Sequence, residues 1–275
     1  MPFRPSRPSA APAVLVGLLL ATGCTTVGGS SGDRAAPGRE LSAAELRAAA
    51  VADVDLGPGY TVTLMTPGHG DTGTGAGREA ADVPACQPLL DAVAPAASTG
   101  ASPASPAPGS PYAETDLSVA RAADPEGRVY GGLLGYRAGR AAARQAELEE
   151  LFGPCASFTS AAPAPPAEKP GRKVAIRTRH RLNRQDTPTP EGADSAIGFT
   201  LTNESGTAVP AQRAVLVRVG ATLAVFATSG AATGPAGAPD ERIVRQQVAK
   251  LRAAQAGDAR AGGAQSKEDQ PKRRP

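Results

Sequence analysis

The sequence predicts an α+β domain: a mostly antiparallel sheet with helices packed on one side. Three observations lead there. The patterns run helix, strand, helix, strands, helix, strands, helix. The last four strand-like runs follow one another across short gaps, which suits hairpins better than the long crossovers of a parallel sheet. Several runs alternate apolar and polar residues, the mark of a sheet with one buried face.

The elements follow in order. Ser42 and Glu45 have capping-box spacing, and Leu41 and Leu46 can staple the same helix start, so a helix is expected from there to about Ala52. Asp55-Leu-Gly-Pro-Gly59 is a turn, and Tyr60 to Met65 a short strand. A glycine-rich loop spans 67–78. Cys86 to Val93 reads as a short helix, then 95–111 as a mobile low-complexity excursion. Strands are expected near Thr115–Ala122 and Val129–Arg137. In Arg140–Phe152, Leu148, Leu151 and Phe152 make one helical face, stopped by Gly153 and Pro154. A proline-rich excursion covers 161–171. The closing strands are 173–182, 195–202, 211–219 and 222–229, with Gly220-Ala221 turning one into the next. Asp240–Arg252 is a final helix, and 253–275 a disordered basic tail.

Composition narrows the function. The 32 Gly and 27 Pro make up about a fifth of the chain, against roughly one-eighth in an ordinary globular protein. There is no Trp, with 4 Tyr and 5 Phe, which argues against aromatic stacking on nucleic acid and against a polytopic membrane protein. Net charge is +3, too small to drive nucleic-acid binding.

The amino terminus carries an address. Arg4 and Arg7 precede an apolar run, Ala13 to Ala21, too short to span a bilayer. Ala21-Thr-Gly-Cys24 follows directly and resembles a bacterial lipobox. The resemblance implies a leader of residues 1–23, a diacylglycerol thioether on Cys24 and acylation of the new amino terminus. Residues 24–40 then form a Gly/Ser-rich tether, and 41–252 the domain. The expected location is the outer face of the cytoplasmic membrane. With Cys24 lipidated, Cys86 and Cys155 remain as a pair in an oxidising compartment and are expected to form a disulfide.

Six stretches together resemble a family: Leu56-Gly-Pro-Gly-Tyr60, Ala85-Cys86-Gln-Pro-Leu89, Gly153-Pro-Cys155, Ile197-Gly-Phe-Thr-Leu201, Val217 to Phe226, and the later Gln247-Val-Ala-Lys-Leu251. The chain is similar to small actinobacterial, Streptomyces-like lipoproteins whose folded part resembles the extracellular sensor domain of the transmembrane Ser/Thr kinase PknH. That resemblance implies a sheet-and-helix domain with a cleft for an envelope ligand, and no enzyme activity.

Sites are few. Gly68-His-Gly-Asp-Thr-Gly73 matches a dinucleotide fingerprint, but no helix can follow it to aim amides at a phosphate, so it reads as a loop. His69 and Asp71 on that loop are too few ligands for a selective metal site. His180 shares a strand face with Val174, Ile176, Thr178 and Leu182, and is expected to be half-buried and hydrogen-bonded, or else a pH-sensitive ligand contact at a cleft wall. The opposite face carries Lys173, Arg177, Arg179 and Arg181. Two readings stay open: a solvated edge strand guarded by charge, or contact with an anionic lipid headgroup or wall polymer. The expected function is a non-enzymatic, lipid-anchored binding or sensing domain with no cofactor. Its partners would be the membrane through the anchor and an envelope lipid, glycan or protein. The alternatives are a structural or protein-partner module, or an envelope hydrolase, although no serine stands near a histidine in the sequence.

Overall fold

Ser42 opens the first helix as its spacing requires: its Oγ accepts the Glu45 N–H at 3.3 Å, and its own N–H reaches Glu45 Oε2 at 2.8 Å. The computed structural model describes residues 38–65, 79–93, 109–162, 175–205, 209–230 and 234–265. The leader with Cys24, most of the tether, the His69 loop with its glycines, most of both excursions and Lys173 lie outside the described residues.

The elements are α1 (Ala43–Ala48), α2 (Asp53–Leu56), β1 (Tyr60–Met65), β2 (Ala80–Ala81), a 3-10 turn (Pro84–Cys86), α3 (Gln87–Val93), β3 (Ala113–Arg121), β4 (Asp124–Gly135), α4 (Arg140–Glu150), β5 (Ser157–Ala162), β6 (Ile176–Gln185), β7 (Ser195–Asn203), β8 (Gln212–Val219), β9 (Thr222–Ser229) and α5 (Glu241–Gln265). All described strands join one sheet in the order β1-β3-β4-β9-β8-β7-β6-β5-β2, every pair antiparallel.

The expected fold class needs correction. About 40% of the described residues are strand and 28% helix, in one nine-stranded sheet with mostly short helices. Nor do the helices keep to one side. In β9 every residue from Thr222 to Thr228 is buried, and successive side chains point to opposite faces, so both faces there need cover. Val215, Val217, Val219, Ala224 and Phe226 pack with Leu117 and Leu133 against α1, α2 and α5. Ala214, Leu216 and Val225 pack with Ile197, Phe199 and Leu201 against α3 and α4. The alternating valines of β8 suggested a single buried face, but Ala214 and Leu216 between them are 0% and 1% exposed.

Other boundaries also moved. The first helix splits: Ala52 N–H donates to Asp55 Oδ2 at 2.7 Å and starts α2 separately. The domain begins before residue 41, because Arg39 Nη2 donates to the Ala254 carbonyl at 2.8 Å and Glu40 accepts the Ala138 N–H at 2.9 Å. α5 continues thirteen residues past Arg252, through alanine-rich sequence with no proline to stop it.

Two buried polar groups lock α5 in place. Asp194 accepts the Gly220 N–H at 2.6 Å and Arg218 Nη1 at 3.0 Å, and it also pairs with Arg252. Gln247, 0% exposed, donates to the Ala49 carbonyl at 2.7 Å and accepts the Val51 N–H at 3.0 Å. Replacing Gln247 with Ala strands both backbone groups in the core, at about 1–3 kcal/mol each. A lower urea midpoint with an unchanged slope is expected; an unchanged midpoint would mean that water satisfies both groups.

Candidate functional site

Alternation sorts the side chains of β6. Thr178, His180 and Leu182 are buried, while Arg177, Arg179 and Arg181 are exposed on the opposite face. β6 is hydrogen-bonded to β5 on one side and β7 on the other, so it is not the edge strand that charge would guard.

On the arginine face, Arg177, Arg179 and Arg181 stand opposite Ala161, Thr159 and Ser157 of β5. Arg181 is also opposite Thr202, and Asn183 is opposite Thr200, which in turn faces Arg213 of β8. No acidic residue occupies a strand position on this face between Ser157 and Arg213. The core beneath α5 reaches this side only as far as the partly buried Ala196 of β7, leaving the arginines in solvent. Arg181 pairs with Glu204 at 3.3 Å. Among the described residues, Arg177 and Arg179 have no carboxylate partner, and the buried Arg213 Nε has no hydrogen-bond acceptor.

Behind this face lies a polar cluster that the sequence hid. His180 is 2% exposed, more buried than expected, and Ser160 of β5 is 1% exposed. Ser160 Oγ is 2.6 Å from His180 Nε2, and Glu79 Oε1 is 3.3 Å from the same nitrogen. Ser160 donates its hydroxyl proton to Glu79. Ser160 and Glu79 thus both face the same imidazole nitrogen, Nε2. A nucleophilic serine requires the imidazole as acceptor and the acid on its other nitrogen. The Phe158 ring, 5.1 Å from the imidazole between centroids, completes the burial. Burial would raise the Glu79 carboxyl, but hydrogen bonds from His180 and Ser160 outweigh it and hold the group below its usual range. Nothing in the sequence placed a serine beside a histidine, but antiparallel pairing of β5 with β6 brings Ser160 beside His180 from twenty residues away.

A second buried acid lies on β3. Asp116 is 0% exposed, opposite Gly132 of β4 and Met65 of β1, and neither carboxylate oxygen has a hydrogen-bond partner among the described residues. Burial, with the charge of Glu114 two residues away, pushes its pKa up to about 7. Nothing in the sequence marked Asp116, since its burial comes from what packs over the sheet.

Cys86 and Cys155 are bonded, with Cα atoms 5.7 Å apart, and join the start of α3 to the turn after α4. No group of three or more His, Cys, Asp or Glu is placed to hold a metal among the described residues. No described helix is long and apolar enough to cross a membrane.

No family model matches the chain, and no curated protein matches it. A similar solved structure is that of an uncharacterised Rv0999 ortholog from Mycobacterium smegmatis. It is 12% identical, with a TM-score of 0.35, over 78% of this chain and 98% of that one.

Proposed function

We propose that the protein is a lipid-anchored, extracytoplasmic binding or sensing domain, without enzyme activity, that recognises an anionic envelope ligand through Arg177, Arg179 and Arg181. The observation that carries this reading is the place of the arginines: an interior strand, on a sheet face with no described helix over it. The placing of Glu79 and Ser160 on the same nitrogen of His180, with the serine hydroxyl donating to Glu79, supports a structural role for that cluster over a catalytic one. Kinship with PknH-type sensor domains belongs to the same proposal. It rests on the motif residues, among them Gly57 and Gly59, whose positive φ of 83° and 87° the Leu56–Tyr60 turn requires, and Cys86 and Cys155.

The anchor rests on the residues before Cys24, and acyl chains give membrane affinity of roughly 0.8 kcal/mol per buried CH2. Intact-mass analysis of the full chain, extracted from membranes with and without reductant, tests it. The expected mass begins at Cys24, carries diacylglycerol and an amide-linked acyl chain, and rises by two hydrogens on reduction. A chain recovered only from culture fluid, unacylated at Cys24, would overturn the anchored reading.

A further inference from the structure

We infer that the ligand of the arginine face is an extended polyanion, a chain bearing phosphate or carboxylate groups, and not the flat surface of a bilayer. The inference deepens the reading above and depends on its choice of face. Along β6 the arginines recur every second residue, so their charges form a line spaced by about 6.7 Å and about 13 Å from first to last. Arg213, one strand beyond β7, widens the line at the Thr200 register. Thr159 and Thr200 add hydroxyls at neighbouring register positions, while Thr202 donates its hydroxyl proton to the Arg181 carbonyl. Guanidinium forks with hydroxyl donors between them match oxyanions repeated along a chain.

The relief of this side of the sheet decides between a polymer and a membrane. α5 packs over β8 and β9 on the arginine side, together with α1 and α2. A helix layer rises about 10 Å above a sheet, so β5, β6 and the part of β7 beyond Ala196, which no described helix covers, lie on a step below it. A flat bilayer approaching this side meets the helices first. A single polymer chain can lie on the step along the arginines.

The test uses the full chain in neutral detergent with four probes: long-chain polyphosphate, alginate, orthophosphate, and phosphatidylglycerol vesicles. Polyphosphate or alginate is expected to bind, the better of the two identifying the oxyanion, with orthophosphate at least a hundredfold weaker. Replacing Arg177, Arg179 and Arg181 together with Gln should weaken polymer binding at least thirtyfold at low salt. The slope of log affinity against log salt should fall by about 2–3. A variant losing the same charge elsewhere, Arg47→Gln with Arg128→Gln and Arg245→Gln, should keep most of the affinity and the slope. Should the arginine variant misfold, phenylglyoxal labelling of the unaltered protein gives the same answer: polymer should protect Arg177, Arg179 and Arg181 above the other exposed arginines. Equal loss in both variants, no protection, or binding to vesicles without binding to either polymer would each overturn the inference. These outcomes are independent of the mass at Cys24, so a failed inference and a failed anchor can be told apart.

Discussion

Replacing Asp116 with Asn should raise the melting temperature by about 10 °C at pH 8 and leave it unchanged near pH 3. The carboxyl titrates near its ordinary value in the unfolded chain, but burial holds it protonated up to about pH 7 in the fold. Below about pH 4 both states carry the proton and the group contributes nothing. Between there and pH 7 only the unfolded state gives the proton up, so stability falls as pH rises. Above pH 7 the full cost is in place, about three pKa units or roughly 4 kcal/mol. At roughly 2–4 °C per kcal/mol for a chain of this size, the shift is easily read. Asparagine copies the shape of the neutral acid and cannot ionise, so the variant should lack this descent between pH 4 and 7. Parallel melting curves for parent and variant across that range would show that Asp116 is ionised and solvated in the fold.

The double variant Cys86→Ala and Cys155→Ala should melt about 10 °C below the parent under non-reducing conditions. The bond closes a loop of 69 positions, and the entropy it removes from the unfolded chain is worth about 4 kcal/mol on the chain-entropy account. Both cysteines are 1% exposed and sit in the cluster formed by Leu89, Leu90, Leu148 and Phe158. Their loss therefore also loosens the layer of α3 and α4. Changing both together leaves no free thiol to confuse the result. Reductant should bring the parent down to the melting point of the variant. A parent that melts at the same temperature with and without reductant would show that the bond adds nothing to stability.

Local chemistry made much of this fold legible. The capping box at Ser42, the Gly-Pro stop after α4, the alternation of Ile197, Phe199 and Leu201, and the Gly220 turn all lie where their residues placed them. What escaped was set by distance along the chain. β2 has only two residues, and β5 is made mainly of Ser, Thr and Ala; neither carries a periodic signal. The helices on both faces follow from β8 and β9 lying mid-sheet, a fact of strand order and not of either strand's own pattern. The arginine row was visible in sequence, but its place on an interior strand was not, because the β5 partner went unseen. The Ser160–His180–Glu79 cluster was hidden for the same reason, with Glu79 arriving from beyond a loop.

The sheet is stitched from pieces of very different reach. β5 to β9 follow one another as a meander of neighbours, and β3 and β4 form a hairpin, but the seam between β4 and β9 joins Tyr130 to Ala227. Hairpins close quickly and distant pairings slowly, so the meander can assemble while its β9 margin is still bare. That margin reads Thr-Leu-Ala-Val-Phe-Ala-Thr-Ser, without a charge or a proline. Until β4 arrives, it is a template for another copy of itself, and the yield of refolding becomes a race between closing the seam and meeting a second chain.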